Sequence, residues 1–138
     1  MIKIDLSQLL PHRAPMLLLD EAGVEGEIAY GKKLIRAEEL FLQGHFPGDP
    51  LVPGVILCEI LAQSACVLLS NRMDQTLIPF LAGLDHVRFR KTVRPGDLLE
   101  TEVRILKNKD PFYWATGKGF VSGKLCVEAE FSFVLKKK

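Results

Sequence analysis

Two side chains able to trade protons stand fourteen residues apart in the segment QGHFPGDPLVPGVILCEILAQ, Gln43 to Gln63. His45 carries an imidazole, the side-chain type that can accept or release a proton near neutrality. It lies among Gly44, Pro47, Gly48, Pro50, Pro53 and Gly54, a composition that fixes a backbone path. Glu59 follows in a run that is apolar on nearly every face. A carboxylate there is costly unless it is protonated, paired or hydrogen-bonded, and a carboxyl held neutral is a proton donor. Side chains of these two types can serve as general acid and base. A histidine between glycines also has a plain structural reading, and Gln63 can merely satisfy Glu59. His12 and His86 lack comparable neighbours and are read as structural.

The elements that must position this pair follow from hydrophobic spacing. Residues Pro53 to Asn71 (PGVILCEILAQSACVLLSN) begin with a proline suited to a first helical turn and outlast an ordinary strand, so they are expected to form one buried helix. On it Glu59, Gln63, Cys66 and Ser70 share one face. That stripe should meet a cavity or a partner, with Cys66 and Ser70 serving helix packing. Leu99, Thr101, Val103 and Ile105 alternate with charged neighbours, as do Leu125, Val127, Ala129, Phe131 and Phe133 with Cys126, Glu128, Glu130 and Ser132. Ser122-Gly123 and Pro95-Gly96 read as turns. Strands are expected at Met16 to Val24, Ile28 to Arg36, Pro79 to Thr92, Leu98 to Leu106, Phe112 to Val121 and after Gly123, with a helical turn in Ala37 to Leu42. The expectation is an α+β fold, a curled antiparallel sheet wrapped around one long buried helix.

At 138 residues the chain has the length of one domain, 1–138. With 48% hydrophobic and 25% charged residues it departs from disordered and collagen-like compositions. A net charge of +1 argues against nucleic-acid binding through a large positive field. The longest stretch free of charged side chains, Ile60 to Asn71, has twelve residues, short of the roughly 20 that cross a bilayer, so no membrane insertion is expected. Cys58, Cys66 and Cys126 cannot all pair, and all lie in apolar segments. With no targeting segment in view, a reducing, cytoplasmic setting is expected. No nucleotide fingerprint or metal-spaced His/Cys cluster is present, so neither cofactor nor metal is expected. Charge is uneven: residues 1–69 hold five basic and nine acidic side chains, residues 70–138 thirteen and eight.

LPHRAPMLLLD (Leu10 to Asp20), GHFPGDPLVPGV (Gly44 to Val55), CEILAQ (Cys58 to Gln63), FLAGLDHVRFRKTVRPGD (Phe80 to Asp97) and SGKLCVEAEFSF (Ser122 to Phe133) together resemble the β-hydroxyacyl-acyl carrier protein dehydratases of fatty-acid synthesis, which have the hotdog fold. The resemblance implies dehydration of a (3R)-hydroxyacyl thioester to the trans-2-enoyl thioester. It implies catalytic roles for His45 and Glu59, whose division of acid and base duties stays open, and an oxyanion donor in the Gly54 N–H. Phe46 and Gln63 fall beside these as substrate-binding residues. It further implies a homodimer whose sites draw His45 and Glu59 from different protomers, in the family often built into a trimer of dimers. The chain departs from the family at Ala14, where Tyr is common, and at Cys66, where Gly is usual. Arg88, Arg90, Lys91 and Arg94 form either an ordinary solvated strand face or a docking patch for the acidic acyl carrier protein. Competing readings are a hotdog hydratase or thioesterase acting on acyl-CoA and a noncatalytic acyl-binding subunit.

Overall fold

The computed structural model describes residues 2–69 and 76–137. Its elements run β1 (Ile2–Lys3), α1 (Leu6–Leu9), β2 (Glu21–Glu25), β3 (Ile28–Leu34), a 3-10 turn (Leu40–Leu42), α2 (Gly54–Cys66), a second 3-10 turn (Val67–Leu69), β4 (Leu77–Phe89), β5 (Leu98–Lys109), β6 (Phe112–Val121) and β7 (Lys124–Lys137). All strands join one antiparallel sheet in the order β1-β2-β3-β5-β6-β7-β4. The helix α2 lies against β5, β6, β3, β7 and β4. This is the expected α+β hotdog arrangement.

The helix is held by burial rather than by its ends. Every residue from Leu57 to Cys66 is buried except Glu59, which is partly exposed. Close approach to the sheet is possible because Gly31 on β3 has no side chain: a Cβ there would lie 2.6 Å from Thr101 Oγ1 and 3.0 Å from Ser64 Oγ. Those two hydroxyls are hydrogen-bonded at 2.8 Å, and Ser64 Oγ donates to the Ile60 carbonyl, so the buried polar atoms of this contact are paired.

The strand alternation on β5 is as expected, with Leu99, Thr101 and Val103 inside and Glu100, Glu102 and Arg104 outside. On β7 Cys126 is buried beside Val127, contrary to simple alternation. The register slips between Gly119 and Phe120, leaving Cys126 as the extra residue of a bulge. Its carbonyl accepts from the Arg90 and Lys91 N–H groups, tying the end of β4 to β7. The hairpin turn that the sequence predicts is present: Ser122 and Gly123 both have positive φ (50° and 75°), as a type I′ turn requires.

Several boundaries differ from expectation. The segment before β2 is no strand from Met16: Leu18 and Leu19 are both buried, and Met16 and Leu17 N–H groups bond back to the Arg13 carbonyl. Packing on the helix replaces pairing there. The helix gives way to the 3-10 turn after Cys66; Asn71, its expected end, and Ser70 of the polar stripe lie outside the described residues. The strand β4 begins at Leu77 and ends at Phe89, because Arg90 and Lys91 are drawn to the bulge. Neither β1 nor α1 was expected; the latter is capped by Asp5, whose Oδ1 accepts from Ser7 N at 3.1 Å.

Candidate active site

The loop carrying His45 is fastened at three places. Glu39, just before the first 3-10 turn, pairs with buried Lys33 of β3 at 2.7 Å. The carbonyl of Leu42 then accepts from His45 N at 3.1 Å, and Leu51 N donates to the His45 carbonyl at 2.9 Å. Farther on, Val52 N donates to the Val93 carbonyl, and the Arg94 guanidinium binds Asp49 and the Pro50 carbonyl. On this frame the half-buried His45 ring is oriented by its Nδ1, 3.0 Å from the Leu51 carbonyl. A carbonyl only accepts, so Nδ1 carries the proton and Nε2 keeps its lone pair. Phe46, 53% exposed, stacks on the imidazole with ring centroids 4.2 Å apart.

The first turn of α2 follows. Pro53 caps the helix without a side-chain hydrogen bond, and the Ile56 and Leu57 N–H groups bond to its carbonyl. The Gly54 N–H has no acceptor among the described residues, as expected of the first residue of a helix, and so remains available at the positive end of the helix dipole. Phe89 closes over this turn: a Cβ on Gly54 would lie 2.7 Å from its Cζ. No reading of the sequence singled out Phe89.

The acid lies farther along the helix. Burial pushes the Glu59 carboxyl above its ordinary range, with the Gln63 amide opposing as a hydrogen-bond donor. With Gln63 and Cys66 it lines a small pocket closed by Leu81 and Phe133, and the third wall is His12, whose Nε2 is 3.8 Å from Glu59 Oε1. The Cys66 thiol is pushed up to about 12 by burial and by the neighbouring Glu59 charge, so it stays protonated. Gln63 is 1% exposed; its Oε1 accepts from Leu18 N at 3.0 Å and its Nε2 donates to the Met16 carbonyl at 2.8 Å. His12, taken as structural from sequence, is thus brought to the acid by the segment Gln63 holds. A signal was present in its place within LPHRAPMLLLD.

The structure therefore makes two groups: His45 with Phe46 and the Gly54 N–H, and Glu59 with Gln63 and His12. No ion pair or hydrogen bond within the chain joins His45 to Glu59. Among the basic residues, Arg90 pairs with Glu128 at 3.0 Å and Arg94 is committed to Asp49. Arg88 is exposed and donates to the Val87 carbonyl, and Lys91 is exposed; neither has an acidic side-chain partner among the described residues. The strand β4 ends the sheet, and Phe80, Leu81, Leu84 and Phe89 on it are 42–53% exposed. No described helix is long and apolar enough to cross a membrane.

The sequence model of the FabA-like domain matches residues 10–130. The chain is 42% identical over 132 residues to the 3-hydroxyacyl-(acyl-carrier-protein) dehydratase FabZ of Caldicellulosiruptor saccharolyticus, covering 94% of each chain. With the FabZ of Roseiflexus castenholzii it shares 43% over 134 residues, 95% of this chain and 94% of the relative. Among solved structures, the dehydratase heterocomplex ApeI:P from Xenorhabdus doucetiae matches with a TM-score of 0.85 at 21% identity, covering 98% of this chain and 93% of that one. The PaaI protein of the E. coli phenylacetic acid degradation operon matches at 0.63 and 11%, over 81% and 79%, a likeness of fold.

Proposed function

Because the chain belongs to the FabA-like domain family, and stands within it beside the FabZ dehydratases, we infer that it removes water from (3R)-hydroxyacyl-acyl carrier protein to give the trans-2-enoyl thioester in fatty-acid biosynthesis. The observation that carries the mechanism is the contrast between an imidazole whose Nε2 is free and a carboxyl that burial holds toward its neutral form. His45 Nε2 takes the C2 proton. The electron pair left behind forms the C2=C3 bond as the C3–O bond breaks, and the hydroxyl leaves as water with the proton of Glu59. Negative charge gathering on the thioester oxygen meets the unpaired Gly54 N–H. Transfer of the proton from His45 back to Glu59 resets the pair.

Phe46 and the pocket wall formed by Gln63, Cys66, Leu81 and Phe133 would hold the acyl chain, and Gln63 would also turn its remaining N–H toward Glu59. No bond joins the two groups in one chain, and β4 offers a thirteen-residue free edge with apolar side chains exposed, a strand that calls for cover. Both features support a homodimer in which His45 meets the partner's Glu59, with trimers of dimers as the larger form. The carrier would dock on Arg88 and Lys91 with Arg90 and Arg94 beside them, and the enzyme would work in the cytoplasm. The experiment is an absorbance assay of enoyl formation across C4 to C16 hydroxyacyl carrier-protein thioesters with wild type, His45→Ala and Glu59→Gln. Each substitution should cost about 100-fold or more in kcat. Near-normal turnover by either variant, with assembly intact, would remove these residues from the mechanism.

A further inference from the structure

We propose that His12 is a positioning residue for the acid: its Nε2–H donates to Glu59 Oε1 and so directs the carboxyl proton to Oε2, from which it is delivered. The proposal rests on the dehydratase reading for the purpose of the proton, but the contact itself is a matter of structure. His12 Nε2 and Glu59 Oε1 are 3.8 Å apart, with side chains 19% and 26% exposed, in the same pocket. The separation exceeds a hydrogen bond by under 1 Å, a gap that a small rotation of either side chain closes, as proton-transfer contacts often tighten around substrate.

The tautomer follows from the other ring nitrogen. Nδ1 is buried and is the one buried side-chain nitrogen or oxygen among the described residues without a hydrogen-bond partner. An orphaned N–H is rarer in folded proteins than an orphaned lone pair, so the ring proton belongs on Nε2, facing Glu59. A charged ring would put a second N–H on Nδ1 with nothing to receive it, and burial independently lowers the His12 pKa. The ring is therefore neutral. Among the described residues only two other ionisable groups line the pocket, Glu59 itself and Cys66, whose thiol remains protonated. No competing carboxylate among the described residues lines it to draw the Nε2–H away.

The backbone that carries the ring is also held from both sides. The Arg13 guanidinium donates to the carbonyls of His12 (2.7 Å), Leu10 (2.8 Å) and Ser7 (3.0 Å), and Gln63 grips Met16 and Leu18 beyond it. A neutral donor in this position orients the acid without the strong charge that would force it to ionise.

The test uses the full-length protein and two readouts. In kinetics, His12→Phe, which keeps a flat ring and removes the donor, should lower kcat by roughly 10- to 100-fold with KM within about twofold, the scale seen for groups that orient a reacting residue. His12→Gln, whose amide N–H reaches toward the Nε2 position, should recover to within about fivefold of wild type. Equal kcat in both variants, whether normal or lost, would overturn the proposal. In 15N NMR of the wild type, the His12 ring should carry its proton on Nε2 near pH 7, with an Nε2 shift that follows the titration of Glu59 and loses that dependence in Glu59→Gln. A proton on Nδ1, or a shift indifferent to Glu59, would overturn it equally, even if a variant failed to fold. Should wild type form no enoyl product, the dehydratase reading fails alone, because the NMR result still decides the contact.

Discussion

Replacing Gln63 by Leu, similar in size and without polar atoms, separates a residue that holds the fold from one that grips substrate. Gln63 spends its carbonyl on Leu18 N and an amide N–H on the Met16 carbonyl. The first bond is fully buried, so leaving Leu18 N–H without an acceptor costs about 1 to 3 kcal/mol, while the second, part-buried, is worth about 0.5 to 1.5 kcal/mol net. The expected loss is roughly 1.5 to 4.5 kcal/mol. A chain of this length unfolds with an entropy near 0.3 kcal/mol per degree, so the midpoint should fall by about 5 to 15 °C. Urea and thermal unfolding followed by circular dichroism would measure it. The perturbation should also reach chemistry, since the loosened segment carries His12: kcat should fall more than KM rises, at a temperature where the variant is folded. A stability change under about 0.5 kcal/mol would refute the clamp. A defect confined to KM, the signature of lost ground-state binding, would leave Gln63 only its proposed contact with the acyl chain and refute the reach of the clamp to His12.

Glu59→Gln should stabilise the protein while abolishing turnover, and its pH dependence gives the sign. Burial raises the folded carboxyl above its unfolded value of 4.5. Below that value both states are protonated and the substitution should be neutral; as pH rises from there to the folded pKa the native state alone holds the proton, and wild type progressively loses stability that the amide does not, a loss complete once pH has passed the folded pKa. Unfolding free energies at pH 4 and pH 8 check this, and a variant less stable than wild type at pH 8 would contradict it. At the basic patch, Arg88→Glu with Lys91→Glu should raise KM for carrier-protein thioesters several-fold at low salt, spare a short thioester analogue, and lose its effect as ionic strength rises. An equal defect on both substrates would speak against docking.

The helix was legible because an apolar run of that length has few other places to go, and β5 because its burial alternates residue by residue. The segment from Met16 to Leu19 was not. Its burial depends on Gln63, some forty-five residues away, and periodicity carries no record of such a bond. The same distance hid His12, which looks isolated along the chain and meets Glu59 only after the Gln63 clamp closes. The β7 bulge was illegible for a related reason: one extra residue in a ladder is defined by its partner strand, and Cys126 is apolar enough to be read on either face. Glu59 stood out early because a carboxyl in that helix is costly wherever the helix packs. His45 drew notice from its loop, but its useful tautomer depends on the Leu51 carbonyl, a contact set by the path of the loop.

The two halves of the site are made rigid by unrelated means, and this bears on how they meet. His45 is fixed by ion pairs and backbone bonds reaching to β3 and to the turn after β4, all at the mouth of the helix. Glu59 is fixed by packing of the helix and by the Gln63 clamp on the opposite flank of the chain's order. Neither set of bonds crosses to the other. A single chain can therefore build each half to the tolerance that proton transfer demands, about half an ångström, while leaving the distance between base and acid to whatever covers the free edge of β4. Phe89, on that strand and against Gly54, connects the exposed edge to the N–H proposed as the oxyanion donor. In the homodimer proposed above, a second copy over β4 would bury the Phe89 ring against the turn that carries the Gly54 N–H, so that assembly would also shield from water the group proposed to receive the thioester's charge.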